Sequence, residues 1–405
     1  VTSRLASGHA ADTIFALASG AGRSAIAVVR LSGSASGRIV TEFCGRLPTP
    51  RRASVRRLHD DDGAVLDQAV VLWLPSPASY TGEDAAEFHL HGGPAVLQAV
   101  TAALVRAGAR PSDPGEFTRR AVLNGKLDLL AAEAVGDLVD SETELQRSQA
   151  MRQLSGEQAE VVATWAAQLT RSLAWQEALI DFADDDLPPS VENDMLAELA
   201  MLRPQMQAHL GASQRGERLR RGLVFVISGP PNVGKSTLLN ALARRDAAIV
   251  SPLPGTTRDL VRVEIDLDGI PVTLVDTAGR RETDDPVEAE GVRRAQVQVE
   301  AADLVLEVID AGICNECSPP GGSLQIFNKV DLGSAVPPGW LGVSARTGEG
   351  MPALLAALRH QAAALAHPGA AAAFGRARHV AALRDAVSSL DAALSEHRPE
   401  LRAEE

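Results

Sequence analysis

The strongest chemical signal in the sequence is Gly229-Pro230-Pro231-Asn232-Val233-Gly234-Lys235-Ser236. It fits the pattern G-x-x-x-x-G-K-[ST] and lies between the apolar run LVFVIS and a segment of helical composition. Glycines let backbone N–H groups converge on phosphate oxygens. A helix beginning near Lys235 turns its positive dipole end toward the same oxygens. Lys235 is expected to reach the β- and γ-phosphates and the Ser236 hydroxyl to bind Mg²⁺, with Val233 and Thr237 among the nucleotide-contacting positions. Downstream, Asp276-Thr277-Ala278-Gly279 ends an apolar run. A carboxylate there can hold Mg²⁺ through water, and the Gly279 N–H can meet the γ-phosphate. Asn328-Lys329-Val330-Asp331 and Ser344-Ala345-Arg346 close two further runs. Asp331 can accept two hydrogen bonds from the N1–H and 2-amino group of guanine. Adenine offers neither donor and would leave the carboxylate desolvated and unpaired. The ordered set therefore points to GTP and GDP rather than ATP.

Such a site needs parallel strands whose carboxyl ends meet. From 222 to about 360, LVFVIS, VRVEIDLDG, PVTLVDT, ADLVLEVID and LQIFNKVD alternate with helical stretches, as in a doubly wound α/β domain. VRVEIDLDG alternates, placing Val261, Val263, Ile265 and Leu267 on one face. Upstream, SAIAVVRLSG (24–33) and AVVLWLP (69–75) read as strands and PAVLQAVTAALVRAG (94–108) as a helix, an α+β pattern. Between them, Leu127, Leu130, Ala131, Ala134, Val135, Leu138 and Val139 recur at helical spacing. Helical composition continues to about 220, broken by the acidic, proline-bearing stretch 181–194, and returns after the α/β region. Asp184, Asp185 and Asp186 in that break read as a solvated loop rather than a metal site. The expected domains are an N-terminal α+β domain (1–124), a helical domain in two parts (125–220 and 364–405), and an α/β domain (221–363) inserted between them.

Composition sets limits. Hydrophobic residues make up 45% of the 405, which excludes wholesale disorder. The net charge of −13 rules out a protein that coats nucleic acid non-specifically, so an RNA partner must be met at a local basic patch. Arg51, Arg52, Arg56 and Arg57 form one such stretch, equally readable as solvated surface. Aromatic residues are too scarce for single-strand stacking platforms. Three cysteines fit a reducing compartment, no apolar run suggests a membrane span, and the N-terminus, which begins at Val1, lacks a secretion pattern. A cytoplasmic location is expected.

The phosphate-binding set resembles the Ras-like P-loop GTPases of translation and RNA maturation. Where many of these carry Gln after Asp-x-x-Gly, this chain has Arg280. In GTPases with an Asn inside the phosphate loop, K⁺ takes the part of an arginine finger. By that resemblance Asn232, Ser251, Leu253 and Thr256 would cage K⁺, and Thr257 would complete the Mg²⁺ shell. The switch segment 250–259, with Pro252, Pro254 and Gly255, would wrap the nucleotide. On residue types alone, Ser251 and Thr256 also fit ordinary turn chemistry.

DTIFALASGAGRSAIAVVRLSG (12–33), SYTGEDAAEFHLHGGPAV (79–96) and DPGEFTRRAVLNGKLDLLAAEAVGDLVD (113–140) resemble the MnmE (TrmE) family of tRNA-modification GTPases. The similarity runs from about residue 12 to 395. It implies a multidomain α/β protein acting on wobble uridine U34 with the FAD-dependent partner MnmG. It also implies a one-carbon unit from 5-formyl- or 5,10-methylene-tetrahydrofolate. A homodimer through the N-terminal domain and a heterotetramer with MnmG follow from the same resemblance. The family's folate residues fall on Arg30, Glu87 and Lys126, and its catalytic Glu, which would orient water, falls on Glu288. Without the resemblance Arg30 is equally a snorkelling surface Arg, and Lys126 and Glu288 are surface charges.

Family members end in a Cys-x-Gly-Lys tail, whereas this chain stops at HRPELRAEE, and none of Cys44, Cys314 or Cys317 stands in for that cysteine. Either the chain is truncated or the modification role is lost. Cys314-Asn-Glu-Cys317 reads as a loop in a stretch, 310–328, that is short for the expected crossover helix. His89 and His91 share a strand face but lack the further ligands of a metal site. Two alternatives stay open: a ribosome-assembly GTPase, and a non-catalytic GTP-binding scaffold.

Overall fold

The computed structural model describes residues 12–181, 188, 190–245, 262–276, 297, 299–310, 323–333, 335–367, 369, 373–396, 398 and 402. By contacts the chain divides into two compact units, one ending at Glu133 and one beginning at Ala134.

In the first unit, alternating burial builds a mainly antiparallel sheet. Its strands are β1 (Ile14–Leu17), β2 (Ser24–Ser32), β3 (Ser54–His59), β4 (Val65–Leu74), β5 (Ala85–Gly92) and the short β6 (Arg110–Pro111). They lie in the order β3-β4-β5-β2-β1-β6, and the β1–β6 pair alone is parallel. Ala69, Val71 and Trp73 of β4 and Phe88 and Leu90 of β5 point into a core roofed by α1 (Ser36–Cys44) and α2 (Pro94–Arg106). Pro94 opens α2, where its missing N–H is no loss.

At one end of this sheet, α3 (Glu116–Leu123) is anchored by charge. The fully buried Glu116 carboxylate accepts from Arg110 Nη1 at 2.9 Å, Arg110 Nη2 at 2.6 Å, Arg120 Nη2 at 3.0 Å and the Asp113 amide at 2.9 Å. Arg120 also reaches Asp12 and Glu83, so one network joins α3 to β1, β6 and the loop before β5. The network explains how a Glu and an Arg are tolerated in an interior: every charge is paired and hydrogen-bonded. The helix α4 (Leu129–Val139) follows.

The second unit opens with helices. In α5 (Glu144–Leu154), Thr143 and Gln146 form a capping box. The long helices α6 (Glu157–Asp181) and α7 (Ser190–Arg221) follow, and α10 (Ala377–Ser395), from the end of the chain, packs on α7. Between them stands a six-stranded sheet: β7 (Leu223–Ser228), β8 (Arg262–Leu267), β9 (Ile270–Asp276), β10 (Leu304–Asp310), β11 (Leu324–Asn328) and β12 (Leu341–Val343). The order is β12-β11-β10-β7-β9-β8, parallel throughout except for β8 against β9. The helices α8 (Lys235–Arg245) and α9 (Met351–Ala366) flank it. Its core includes Phe225, Ile227, Leu239, Leu274 and Leu306. The strand β8 buries Ile265 and Leu267 fully and Val263 partly, on the face its alternation predicts; Val261 lies outside the described residues. The central strand β7 has β9 on one side and β10 on the other, so the crevice for a ligand opens at its carboxyl end.

Candidate functional site

Five parallel strands deliver polar groups to one edge: Ser228 ends β7, Asp276 ends β9, Asp310 ends β10, Asn328 ends β11, and Ser344 follows β12. The loop from Gly229 to Gly234 turns from β7 into α8 in a way only its residue types allow. Gly229 has φ 143°, and a Cβ there would lie 2.1 Å from the Val308 carbonyl oxygen. Gly234 has φ 95°, and a Cβ would lie 2.5 Å from Asn328 Nδ2. Asn232, at φ 64°, is one of few non-glycines in the left-handed region, which Asn tolerates better than most.

Lys235 is buried, and its Nζ donates to the Gly229 and Pro230 carbonyls at 3.0 and 2.9 Å. Burial lowers the pKa of this ammonium, and the nearby Asp276 carboxylate opposes that shift. An anion arriving in the loop would act in the same sense as Asp276, favouring the charged lysine. Ser236 Oγ donates to Asp276 Oδ2, while the buried Asp276 Oδ1 has no hydrogen-bond partner among the described residues. A hydroxyl and a carboxylate with a spare oxygen, at a helix N-terminus, are the hard donors a small divalent cation takes. This donor set fits Mg²⁺.

A cavity of about 290 Å³ adjoins the loop, lined by Gly234, Thr237, Asn328, Lys329, Asp331, Leu332, Ser344, Ala345 and Arg346. Asn328 braces it: its Nδ2 donates to the Val233 carbonyl at 2.8 Å, and its Oδ1 accepts from the Ala345 amide at 3.2 Å. Asp331 stands at one wall, its pKa held below the usual range by a hydrogen bond from Ser344 and by Arg346, whose Nη2 lies 2.7 Å from Oδ2. A carboxylate held below its usual range beside this cavity suits a base edge carrying two donors. Lys329 donates to the Asn232 carbonyl at 2.9 Å and pairs with Asp310. Asp310 did not figure in the sequence reading, although an Asp ending a buried run was already the signal used for Asp276.

Thus Asn232, Val233, Gly234, Lys235, Ser236, Thr237, Asp276, Asn328, Lys329, Asp331, Ser344, Ala345 and Arg346 meet at one edge of one sheet. Ser251, Pro252, Leu253, Pro254, Gly255, Thr256, Thr257, Thr277, Ala278, Gly279, Arg280 and Glu288 lie outside the described residues, as do Asp184, Asp185, Asp186, Cys314 and Cys317.

The first unit holds a second constellation. Arg30 and Glu87 are cross-strand partners on β2 and β5; Arg30 Nε and Nη2 sit 3.0 and 2.9 Å from Glu87 Oε1. The Arg30 guanidinium lies 5.5 Å from the Tyr80 ring centroid and 6.0 Å from that of Phe117. Tyr80 Oη and Thr118 Oγ1 are hydrogen-bonded at 2.9 Å, tying the loop before β5 to α3. Lys126 packs its side chain against Gly82, and no hydrogen bond or ion pair among the described residues joins it to Arg30 or Glu87. Tyr80 and Phe117 were missed from sequence, although Tyr80 is the chain's one tyrosine. His91 Nδ1 is 2.7 Å from Asp67 Oδ1, and His89 Nε2 lies 3.4 Å from Glu87 Oε2. Burial pushes the Cys44 thiol up to about 11, so it stays protonated at neutral pH.

Residues 13–126 match the family model described as GTP-binding protein TrmE N-terminus, and residues 129–405 match that of the MnmE helical domain. The tRNA modification GTPase MnmE of Gluconacetobacter diazotrophicus is 54% identical over 398 residues, covering 97% of this chain and 91% of the relative. That of Granulibacter bethesdensis is 52% identical over 405 residues, covering 97% and 92%. Among solved structures, Era of Aquifex aeolicus is 27% identical with a TM-score of 0.28, covering 34% of this chain and 56% of that one.

Proposed function

The chain belongs to the MnmE family of tRNA-modification GTPases, and from that premise we propose how its two constellations divide the work. It is a multidomain α/β protein and a GTP hydrolase of tRNA modification. GTP would sit with its phosphates in the 229–236 loop and its base in the cavity walled by Asn328, Asp331 and Ser344. The observation that carries this reading is the meeting of Lys235, Ser236 and Asp276 with that cavity along the carboxyl edge of one parallel sheet.

Water would add to the γ-phosphorus in line as the bond to the β–γ bridging oxygen breaks, giving GDP and phosphate. Lys235 would leave its two carbonyl partners for the β- and γ-oxygens, and the loop amides would take the remaining charge. Ser236, Thr257 and, through water, Asp276 would hold Mg²⁺, which supplies charge neutralisation at those oxygens. Asn232, with Ser251, Leu253 and Thr256, would hold K⁺, which supplies the positive charge an arginine otherwise brings. For Asn232 the support is a backbone pinned by Lys329. Glu288 would orient the water, and 250–259 and 276–290 would carry the change of state.

In the first unit Arg30, Glu87 and Lys126 would bind 5-formyl- or 5,10-methylene-tetrahydrofolate. The support is an Arg–Glu pair framed by two aromatic rings, with Arg30 Nη1 not engaged by Glu87. The sheet face away from α1 and α2 carries Ile26, which is 60% exposed, and the family resemblance implies a homodimer through this unit. Modification of U34 with MnmG completes the reading, with a cytoplasmic location. No helix among the described residues is long and apolar enough to cross a membrane.

Phosphate release from the purified chain, with Mg²⁺ and with K⁺ or Na⁺ as the only monovalent cation, tests the nucleotide site. Turnover much faster in K⁺ is expected; equal rates remove the cation role, and no turnover removes the mechanism. Calorimetry with 5-formyltetrahydrofolate tests the first unit, where absence of heat excludes the folate assignment.

A further inference from the structure

We propose that the arginine-bearing edge from Arg46 to Arg57 is a docking surface for the sugar-phosphate backbone of a folded RNA. Residues 46–57, RLPTPRRASVRR, contain five arginines and no acidic residue, in a chain whose net charge is −13. Elsewhere the structure spends its arginines on acids: Arg30 on Glu87, Arg106 on Asp61, Arg152 on Glu157, Arg203 on Asp391. Among the described residues none of Arg46, Arg51, Arg52, Arg56 and Arg57 forms an ion pair. Their side chains make one hydrogen bond there, from Arg56 Nη1 to the Val55 carbonyl at 2.9 Å, and Arg56, with its Nε buried, also acts on the Cys44 thiol.

Their placement is built. Among the described residues β3 is an edge strand of the first sheet, so its outward N–H groups add neutral donors beside the guanidinium groups. Arg51 takes φ 59°, an unfavourable angle for Arg, and its amide is anchored to the Trp73 carbonyl at 2.8 Å. Arg56 and Arg57 point to opposite sides of the strand, opposite Ala69 and Gln68 of β4. Arg46, Arg51 and Arg52 flank its start, and all but Arg56 are exposed. Of the acids along the hairpin, Asp61 pairs with Arg106 at 3.0 Å, Asp67 with His91 at 2.7 Å, and Asp60 accepts from the turn amides of Asp62 and Ala64, while Asp62 is exposed.

Charge on an edge strand also blocks pairing with another sheet. One or two charges on the strand serve that purpose, whereas three of these five lie outside it. The guanidinium groups of Arg46, Arg51, Arg52 and Arg57, exposed and without an ion pair among the described residues, suit phosphate oxygens. The inference rests on the family's work on tRNA and names the surface that would meet it.

The test uses the full chain and an unmodified tRNA transcript with uridine at the wobble position, with binding measured from 50 to 200 mM KCl. The variant Arg51→Gln/Arg52→Gln/Arg57→Gln is compared with Arg147→Gln/Arg171→Gln/Arg203→Gln, which removes the same charge from helix surfaces. The edge variant should bind at least tenfold more weakly, with a salt slope shallower by about 2 to 3. The helix variant should stay within about twofold of the parent. Restoring charge as Arg51→Lys/Arg52→Lys/Arg57→Lys should recover most of the affinity, and the parent's thermal midpoint and GTP turnover should persist in all three. Equal losses in the edge and helix variants overturn the proposal. So does a parent that binds phosphatidylglycerol vesicles through this edge but not tRNA. A parent that turns over GTP without binding tRNA sinks this surface alone, and one that binds tRNA through the edge without turnover sinks the hydrolytic mechanism alone.

Discussion

On the proposed assignment Asp331, whose carboxyl is held below its usual range, is the group that decides which base enters the cavity it lines. Guanine satisfies both oxygens once Arg346 yields its contact. Asp331→Asn replaces one acceptor by a donor, which suits xanthine, with its N1–H and 2-oxo group. GDP affinity is expected to fall about 100-fold or more, with XDP becoming the better ligand, as read by calorimetry. Asp310 acts one step further back. It holds Lys329, which holds the Asn232 carbonyl, so Asp310→Asn should loosen the phosphate loop. On the proposed assignment the variant needs more K⁺ for half-maximal turnover, and Asp310→Glu recovers part of the loss. An unchanged K⁺ titration would show that the pair has no part in positioning.

At the scale of elements, the β7–loop–α8 turn tolerates no Cβ at its ends. Gly229→Ala would drive a methyl into the Val308 carbonyl at an angle L-residues avoid, and the central β7–β10 pair cannot move away. Loss of nucleotide binding together with a lower thermal midpoint is expected. In the first unit the Glu116 network anchors α3. Arg110 hydrogen bonds, helped by the Asp113 amide and Arg120, hold the Glu116 carboxyl down to about 2, against an ordinary value of 4.5. A depressed carboxylate stabilises the fold above its unfolded pKa. This contribution is therefore complete above pH 4.5 and drains away as pH falls toward 2. Glu116→Gln removes the carboxylate that Arg110 and Arg120 share while leaving them Asp12 and, for Arg120, Glu83, and should cost about 2 kcal/mol in denaturant melts at pH 7, with a flatter pH profile between 5 and 2. Since α3 carries Phe117 and Thr118, the same variant should weaken folate binding on the proposed assignment.

At the scale of the molecule, helices and nucleotide sheet of the second unit share contacts rather than a linker. Gln146 of α5 donates to the last carbonyls of α7, at Leu219 and Arg220, both at 3.2 Å. Leu145 packs so closely on the β8–β9 turn that a Cβ on Gly269 would lie 2.7 Å from its Cγ. This contact joins α5 to the sheet whose β9 ends at Asp276. Ligand linkage makes this measurable: Mg²⁺ with GDP at 100 times its Kd should stabilise the chain by about 2.7 kcal/mol, whereas ADP should not. Leu145→Ala should lower the parent's stability by about 2 kcal/mol. The apolar strands of the second sheet, and the 229–236 loop, Asp276 and Asn328 to Asp331 at their carboxyl ends, were legible as linear patterns, because each depends on local backbone geometry and on residues close in sequence, whereas β1, β3 and β6 were not read as strands. The family followed from motifs of the same local kind. The partners of those residues were not legible. Asp310 at the end of β10 reaches Lys329 just past the neighbouring β11, Glu116 gathers arginines from β6 and α3, and Tyr80 and Phe117 close on Arg30 from a loop and a helix. Hydrophobic periodicity and turn chemistry act over a few residues and are written in the chain. Which charges lose their water together, and which arginines are left without an acid, depends on segments far apart in sequence being packed side by side, and only the folded protein decides that.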